Sequence, residues 1–142
     1  MNSVEVVESL NAQWPPSVKT VGGQATGYDP ETKTLSMSFE AKPMFCHSVD
    51  IVQGGYITGM LDAAMAYTVI GPSLVPSAEE VAVATLEIKV NFISSGNSGP
   101  MTGTGTITHL GRSIGFISGK LYQGDRLIAT ATSTVKLLRM KK

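Results

Sequence analysis

The sequence predicts an α+β protein in which a curved antiparallel sheet wraps around one long central helix. Residues 54–70 contain one charged residue, Asp62, and read as a helix that is apolar on every side. Most of the remaining segments alternate apolar and polar residues, as strands do. The chain of 142 residues has the length of one domain with a substantial core, and we expect residues 1–142 to form that domain.

The segment before the central helix begins with an amphipathic helix over residues 3–13, which Pro15-Pro16 ends. Two strands are expected next, over residues 18–28 and 34–40, joined by a turn with proline in its favoured position. In the second strand apolar and polar residues alternate, as in a strand with one buried face. Residues 41–53 then read as a loop.

Glycines and a proline delimit the central helix. Gly54-Gly55 opens it, and we expect Gly71-Pro72 to close it, because glycine favours the terminal conformation and proline does not continue a helix. A loop over residues 72–80 follows. Because a sheet covers only one side of a helix that is apolar all round, we expect a homodimer to cover the rest.

The remainder of the chain is predicted to be antiparallel sheet. Strands are expected over residues 81–93, 101–109, 113–122 and 126–138, with a tight hairpin at 123–125. These segments are rich in threonine and serine, which is typical of a sheet with one face in water.

Composition excludes several classes of protein. The 11 basic and 11 acidic residues give no net charge, so we expect no nucleic-acid partner. The single cysteine, Cys46, cannot form an intramolecular disulfide and fits a reducing cytoplasm. Glu5 and Glu8 interrupt any signal-peptide core. Residues 54–70 are too short, with Asp62 at their centre, to span a bilayer. We therefore expect a cytoplasmic protein without membrane association.

Asp62 is the first candidate functional residue. A carboxylate in an apolar helix is expected to be desolvated, which raises the pKa of an acid toward the range of a general base. Small residues share its helix face, at 55, 59 and 66, so another backbone or a slender ligand can approach it closely. Close helix–sheet packing explains that stripe equally well. Asp62 favours the ligand, because dry packing needs no unpaired acid.

Backbone and loop donors form the second candidate group. The free N–H groups at Gly54-Gly55, together with the helix dipole, favour negative charge, as an oxyanion hole requires. The glycines can also serve only to shape the start of the helix. In the preceding loop, His47 and Gln53 can each donate to a carbonyl oxygen or position water. A lone loop histidine is more often simply a surface residue.

Other chemistries find no support. The sequence has no Gly-x-Ser-x-Gly elbow, phosphate loop or dinucleotide fingerprint. His47, His109 and Cys46 make a poor metal set, so we expect no metal and no cofactor. Cys46 and His47 are adjacent in an extended loop and point apart, which argues against a thiol nucleophile.

Residues 45–66 resemble the signature of the PaaI-type hotdog-fold acyl-CoA thioesterases. In that family a loop Asn is followed by His-Gly-Gly and by a helical Asp nine residues after the His. Gly54-Gly55 and Asp62 match in type and spacing. Gln53 stands where the family has its His, and His47 where it has the loop Asn. Later matches (90–94, Gly103, Gly105 and 111–113) extend the resemblance over about residues 16–138.

The resemblance implies a hotdog fold and a division of labour. Asp62 would activate the attacking water or attack the thioester carbon itself, and Thr85 would orient that water. The Gly54 N–H would stabilise the oxyanion, while Gln53 and His47 polarise the thioester carbonyl. In this family the site straddles a dimer interface, so Asp62 would face these donors on the partner subunit.

The same resemblance implies the substrate and the assembly. Gly111, Arg112 and Ser113 would line the coenzyme A groove, with Arg112 as a natural phosphate contact. Gly55 and Thr58 would lie against the substrate. We expect small to medium acyl-CoA thioesters, aryl ones included, coenzyme A as part of the substrate, and a dimer of dimers.

Two other functions stay open. A hydratase or dehydratase of acyl thioesters needs a histidine and a carboxylate, which His47 and Asp62 can supply. The proline-rich loop that such enzymes carry before the helix is absent. A non-catalytic acyl-CoA-binding module is the other alternative, although such hotdog modules tend to lack the helical acid.

Overall fold

A computed structural model describes residues 3–76 and 79–141 of the chain. The elements follow in chain order as α1 (Ser3–Asn11), α2 (Pro16–Thr20), β1 (Gln24–Asp29), β2 (Thr34–Ala41), a 3₁₀ turn (Pro43–Phe45), β3 (Cys46–His47), β4 (Ile51–Val52), α3 (Gly54–Ser73), β5 (Glu80–Phe92), β6 (Gly99–Leu110), β7 (Ile114–Gln123) and β8 (Arg126–Met140).

The sheet confirms the predicted fold class. Six strands are hydrogen-bonded in the order β1-β2-β6-β7-β8-β5, every pair antiparallel, and β3 and β4 form a separate small hairpin. The strand predicted over residues 34–40 and the four strands predicted after the central helix occur within two residues of their expected bounds. One face of the sheet packs on α3, and this is the hotdog architecture that the resemblance implied.

Glycines in the middle of the sheet let α3 lie unusually close to it. A Cβ on Gly105 of β6 would overlap the Ala64 carbonyl and lie 2.8 Å from Met65 Cα. A Cβ on Gly119, the cross-strand neighbour of Gly105 on β7, would meet Met65 Cγ at 2.9 Å. The backbone of α3 therefore lies directly on β6 at Gly105, and Gly119 of β7 leaves room for the Met65 side chain.

The helix α3 does not end at Gly71-Pro72, as the sequence predicted, but continues to Ser73. Gly71 serves packing instead, since a Cβ there would lie 2.9 Å from Leu10 Cδ1 and 3.0 Å from Val6 Cγ1 of α1. Pro72 lies in the last turn of α3 and has no N–H to donate to the Thr68 carbonyl. Within the predicted 72–80 loop, residues 77 and 78 lie outside the described residues.

The strand predicted over residues 18–28 is wrong in its first half. Pro16–Thr20 forms α2, with Pro16 at a first-turn position where its fixed φ favours a helix. Val18 and Val21 are both buried, and their spacing of three fits a helical turn, not a strand. Gly22 then turns the chain with φ +66°, and β1 begins at Gln24.

Two smaller expectations also need correction. The first helix ends at Asn11 and not at residue 13. The predicted loop over residues 41–53 contains the 3₁₀ turn and the β3–β4 hairpin. Among the described residues, no helix has the combination of length and apolar character needed to cross a bilayer.

Strand β5 forms one edge of the sheet and carries a bulge. Its pairing with β8 shifts register between Thr85 and Glu87, which leaves Leu86 as the extra residue. Before the bulge Val83 and Thr85 face α3, whereas after it Ile88 takes that role. Residues 85–87 are all exposed in the protomer.

We predict that Gly105→Ala lowers the free energy of unfolding by about 1–3 kcal/mol, because the new methyl group forces α3 away from the sheet. Gly27→Ala is the matched control, since nothing lies within 4 Å of a Cβ at that strand position. Urea denaturation of both variants measures the effect. Equal stability of the two variants would contradict the close seating of the helix.

Candidate active site

The structure brings two of the predicted site residues into direct contact. Thr85 Oγ1 on β5 donates a hydrogen bond to Asp62 Oδ1 on α3 at 2.8 Å. Asp62 is half-buried in the protomer, not fully desolvated as its sequence context predicted, because it lies on the side of α3 that faces the exposed edge strand β5. Within the described part of the chain the Thr85 hydroxyl is the only side-chain partner of this carboxylate, so its second oxygen is available to a water or a substrate.

A cleft of about 330 Å³ opens beside Asp62. Its floor is α3, and α2 and β5 form its two sides. Its walls are mostly apolar, and they consist of Ser17, Val18, Val21, Gly59, Asp62, Ala63, Ala66, Tyr67, Ile70, Val83 and Thr85. Sequence reasoning missed the contribution of α2, and the one available signal was the three-residue spacing of Val18 and Val21.

Tyr67 stands at the side of the cleft that adjoins α1. Its ring packs edge-on against Trp14, with ring centroids 4.9 Å apart and planes at 86°. Burial raises the pKa of the Tyr67 phenol, and the nearby Asp62 carboxylate raises it further. The phenol therefore stays neutral over the physiological pH range.

The first residues of α3 lie outside the cleft. Gln53 is the N-cap residue and makes no side-chain capping hydrogen bond. The first N–H groups of a helix have no partner within it, so Gly54 offers a donor there. A Cβ on Gly54 would lie 3.0 Å from the Phe92 ring. Asp62 follows Gly54 by eight positions in the helix, which is about 12 Å along the axis.

The two predicted substrate-binding residues on α3, Gly55 and Thr58, differ in their surroundings. Gly55 and Gly59 face open space, because a Cβ added at either position would have no neighbour within 4 Å. A glycine inside a helix costs about 1 kcal/mol relative to alanine, so nothing in the protomer itself explains them. Thr58, in contrast, donates its hydroxyl to the Gly54 carbonyl at 2.8 Å and is occupied locally.

His47 lies away from Asp62 of its own protomer, exposed on the β3–β4 hairpin, where its Nδ1 contacts Ser48 Oγ at 3.0 Å. The neighbouring Cys46 thiol donates to Asp50 Oδ1 at 3.5 Å and does not contact His47. Desolvation raises the pKa of Cys46, and the bond to the Asp50 carboxylate raises it further. This favours the inert thiol over a nucleophilic thiolate.

Asp50 holds the hairpin in place despite an unfavourable backbone angle, φ 133°. Its carboxylate accepts the Ser98 N–H at 3.1 Å and its carbonyl accepts the Asn97 amide at 2.7 Å. The hydrogen bonds from Ser98 lower the pKa of the Asp50 carboxyl. The loop that carries His47 is thereby tied to residues 97 and 98.

Gly111, Arg112 and Ser113 form the turn between β6 and β7. The Arg139 guanidinium donates to the Arg112 carbonyl at 2.9 Å and to the Gly111 carbonyl at 3.0 Å, which fixes the turn. The Arg112 residue is exposed. Cross-strand pairing aligns Gly115 with Val135 and Val135 with Thr85, so the turn lies at the level of Thr85, two strands away.

One protomer therefore assembles only part of the predicted site. Asp62, Thr85 and the apolar cleft lie together, whereas Gln53, Gly54 and His47 lie elsewhere on the same chain. In the described ranges, no cluster of three or more His, Cys, Asp or Glu side chains could hold a metal ion.

Comparisons with known proteins give the family. Residues 50–130 match the family model described as the thioesterase superfamily. Among curated proteins, no sequence matches the chain.

Solved structures with the same fold cover nearly the whole chain. A candidate thioesterase of Ralstonia eutropha JMP134, described as a phenylacetic acid degradation-related protein, is 28% identical with a TM-score of 0.79, over 91% of this chain and 96% of that one. The PaaI protein from the phenylacetic acid degradation operon of Escherichia coli is 15% identical with a TM-score of 0.82, over 98% and 97%.

A hypothetical thioesterase from Streptococcus pneumoniae TIGR4, solved with coenzyme A, is 16% identical with a TM-score of 0.72, over 84% of this chain and 88% of that one. The PaaI-type resemblance of the sequence is confirmed by these matches together.

We predict that the Asp50 carboxyl titrates below its ordinary value of about 3.9, because the Ser98 donors favour the ionised form. The stabilisation from this carboxylate is therefore complete above about pH 3.9 and is lost as the pH falls through the lower folded-state pKa. An NMR titration of the carboxyl carbon and the Ser98 amide measures it. Asp50→Asn should abolish the pH response of Ser98, and a midpoint at or above the ordinary value would contradict the network.

Proposed function

The chain belongs to the thioesterase superfamily, and from that premise we propose that it hydrolyses small to medium acyl-CoA thioesters, aryl ones included, to coenzyme A and the free acid. The observation that carries the proposal is the Thr85–Asp62 hydrogen bond at the mouth of an apolar cleft. An acid held by one hydroxyl, with one oxygen free and an apolar pocket beside it, suits the attack of water on an acyl group.

In the proposed reaction Asp62 takes a proton from water while the water oxygen attacks the thioester carbon. The carbonyl electrons move onto oxygen, where the N–H of Gly54, helped by Gln53 or His47, donates to the negative charge. The intermediate then collapses, the carbon–sulfur bond breaks, and Asp62 returns its proton to the coenzyme A sulfur. The alternative is a direct attack of Asp62 on the carbon, in which the carbon–sulfur bond breaks and the coenzyme A thiolate leaves; water then cleaves the resulting mixed anhydride to the free acid and the Asp62 carboxylate.

We further propose that the donors come from a second subunit. Within one protomer Gly54 is about 12 Å from Asp62 along the helix, too far to act on the same carbonyl. The bare helix face at Gly55 and Gly59 leaves room for close approach of another chain. Strand β5 is an edge of the described sheet, and Leu86 at 57%, Phe92 at 56% and Ile93 at 57% exposure lie on or directly after it. Pairing of two β5 edges would cover this surface.

Coenzyme A is proposed to lie along the β6–β7 turn. The carbonyls of Gly111 and Arg112 are held by Arg139, so the turn is rigid, and the exposed Arg112 is suited to a phosphate. The Streptococcus pneumoniae structure with coenzyme A supports this ligand for the fold.

Asp62→Asn is expected to lower kcat/KM for acyl-CoA hydrolysis by about 100- to 10,000-fold, because the amide cannot take a proton. The fold should persist, since the Asn oxygen still accepts the Thr85 hydroxyl. Release of free coenzyme A thiol from a panel of acyl-CoAs measures the loss. Asp125→Asn, the same change at an exposed hairpin acid, is the control.

Full activity of Asp62→Asn would remove Asp62 from the mechanism. The same panel distinguishes the two alternative functions. Tight acyl-CoA binding without turnover would indicate a binding module, and water addition to an enoyl-CoA without thiol release would indicate a hydratase.

Gly54→Pro tests the cross-subunit site. Proline is well tolerated at the first helical position but lacks the N–H, so we expect kcat to fall by about 100- to 1,000-fold. Gly54→Ala keeps the N–H and controls for the contact with Phe92. Unfolding and refolding an equal mixture of Gly54→Pro and Asp62→Asn chains should restore about a quarter of wild-type activity, since half of the dimers then hold one intact site. No recovery would place both groups in one subunit.

A further inference from the structure

A second cavity lies behind the cleft, on the far side of Tyr67. It has a volume of about 360 Å³ and opens between the end of α1, α3 and the start of β5. Tyr67, Ile70 and Val83 line both cavities, whereas Asp62 lines only the first and Trp14 only the second. These three shared side chains are therefore the partition between the two spaces.

Tyr67 is the aromatic member of this partition. Its ring packs edge-on against Trp14, which is 6% exposed. Trp14 is fixed in turn, because its Nε1 donates to Asn11 Oδ1 at 2.9 Å. The Asn11 amide also bonds the Ala25 backbone N–H at 2.8 Å and its carbonyl at 3.0 Å. The Tyr67 ring is thus anchored through α1 to β1 and has little freedom to swing aside.

The position of the ring fits the end of an acyl pocket. Tyr67 follows Asp62 by five residues, about 7.5 Å along the helix. The side chains between the carboxylate and the ring, Ala63 and Ala66, are small, so the path to Tyr67 is open. The cleft of about 330 Å³ is roughly twice the size of an engineered apolar cavity of about 150 Å³ that holds benzene. It can accept a medium chain or a single ring.

We propose that Tyr67, braced by Trp14, closes the acyl pocket and excludes long-chain acyl groups, so that the substrates are short- and medium-chain or single-ring acyl-CoAs. This inference rests on the proposed function. Trp14 acts as a positioning residue and Tyr67 as the group that meets the end of the acyl chain. The neutral phenol places no charge at that end, which suits an apolar acyl terminus.

The experiment is a kcat/KM series over straight-chain acyl-CoAs of increasing length. The wild type should gain with length up to a cutoff and then fall steeply. Tyr67→Ala joins the two cavities and should move the cutoff to longer chains, with about a fourfold gain in kcat/KM for each methylene that enters the opened space. Tyr67→Phe keeps the ring and should keep the cutoff. Circular dichroism and thermal unfolding establish that each variant is folded.

A variant of opposite sign keeps the inference testable if Tyr67→Ala does not fold. Ala66→Leu adds volume between Asp62 and Tyr67 with a residue that favours helix, and it should move the cutoff to shorter chains. An unchanged cutoff in a folded Tyr67→Ala, or in Ala66→Leu, would overturn the proposal.

Binding separates a failure of this inference from a failure of the proposed function. Isothermal titration of wild type and Tyr67→Ala with S-alkyl-CoA thioethers, which cannot be hydrolysed, gives the same length series without turnover. A wild type that binds with a cutoff but hydrolyses nothing would overturn the proposed function and leave Tyr67 as the stop. Hydrolysis by the wild type with a length cutoff that Tyr67→Ala does not move would support the proposed function and overturn the role of Tyr67.

Discussion

The contact of α3 with the glycines of β6 and β7 is the constraint on which the rest of the structure depends. With no side chain at Gly105, the backbone of the helix at Ala64 and Met65 lies directly on the sheet, and the absence of a side chain at Gly119 leaves room for that of Met65. This close packing brings Asp62, at the edge of the buried face, within hydrogen-bonding distance of Thr85 on the edge strand. A methyl group at position 105 would push the helix backbone away from the sheet and the carboxylate away from its partner. The position of the acid is thus set by residues that never touch it.

The helix α3 is apolar on every side, yet the protomer covers only part of its surface. The sheet buries one face of α3. Val6 and Leu10 of α1 cover its C-terminal end at Gly71. The face with Gly55 and Gly59 stays bare. Its glycines have a cost in helix stability, and a Cβ at either position would meet no atom of the protomer within 4 Å, so their explanation lies in what approaches from outside. A proposed second subunit accounts for the bare face and for the distance between Gly54 and Asp62 at once.

The sequence predicted those parts of the molecule that depend on local periodicity. The central helix and the strands after it follow from strong apolar patterns, and their bounds were accurate to within a few residues. The predictions at residues 18–28 and at Gly71-Pro72 were wrong because the residues that suggested a strand and a helix end instead make contacts with distant parts of the chain. Val18 packs into the core from a short helix, and Gly71 makes room for α1.

The sequence likewise predicted only part of the candidate site. Asp62 stood out in the sequence because a charge in an apolar helix needs an explanation. Its contact with Thr85 was reached only through family resemblance, because no local pattern reports a pairing across 23 positions. The cleft walls from α2, and the brace of Tyr67 by Trp14, depend on segments far apart in the chain, and periodicity carries no information on such meetings.

The bulge at Leu86 has a consequence for how the length of β5 can vary. Strand side chains alternate with a period of two, so Thr85 and Ile88 could not both face α3 in a regular strand. The extra residue at the bulge shifts the alternation of side chains by one position, so that Thr85 and Ile88 face the same side of the sheet. Deleting Leu86 would therefore leave Thr85 and Ile88 two positions apart, and a regular strand would hold both against α3. Strand β5 can thus lose one residue at the bulge and keep both halves in place, whereas the loss of one residue from a regular part of the strand would turn one half over.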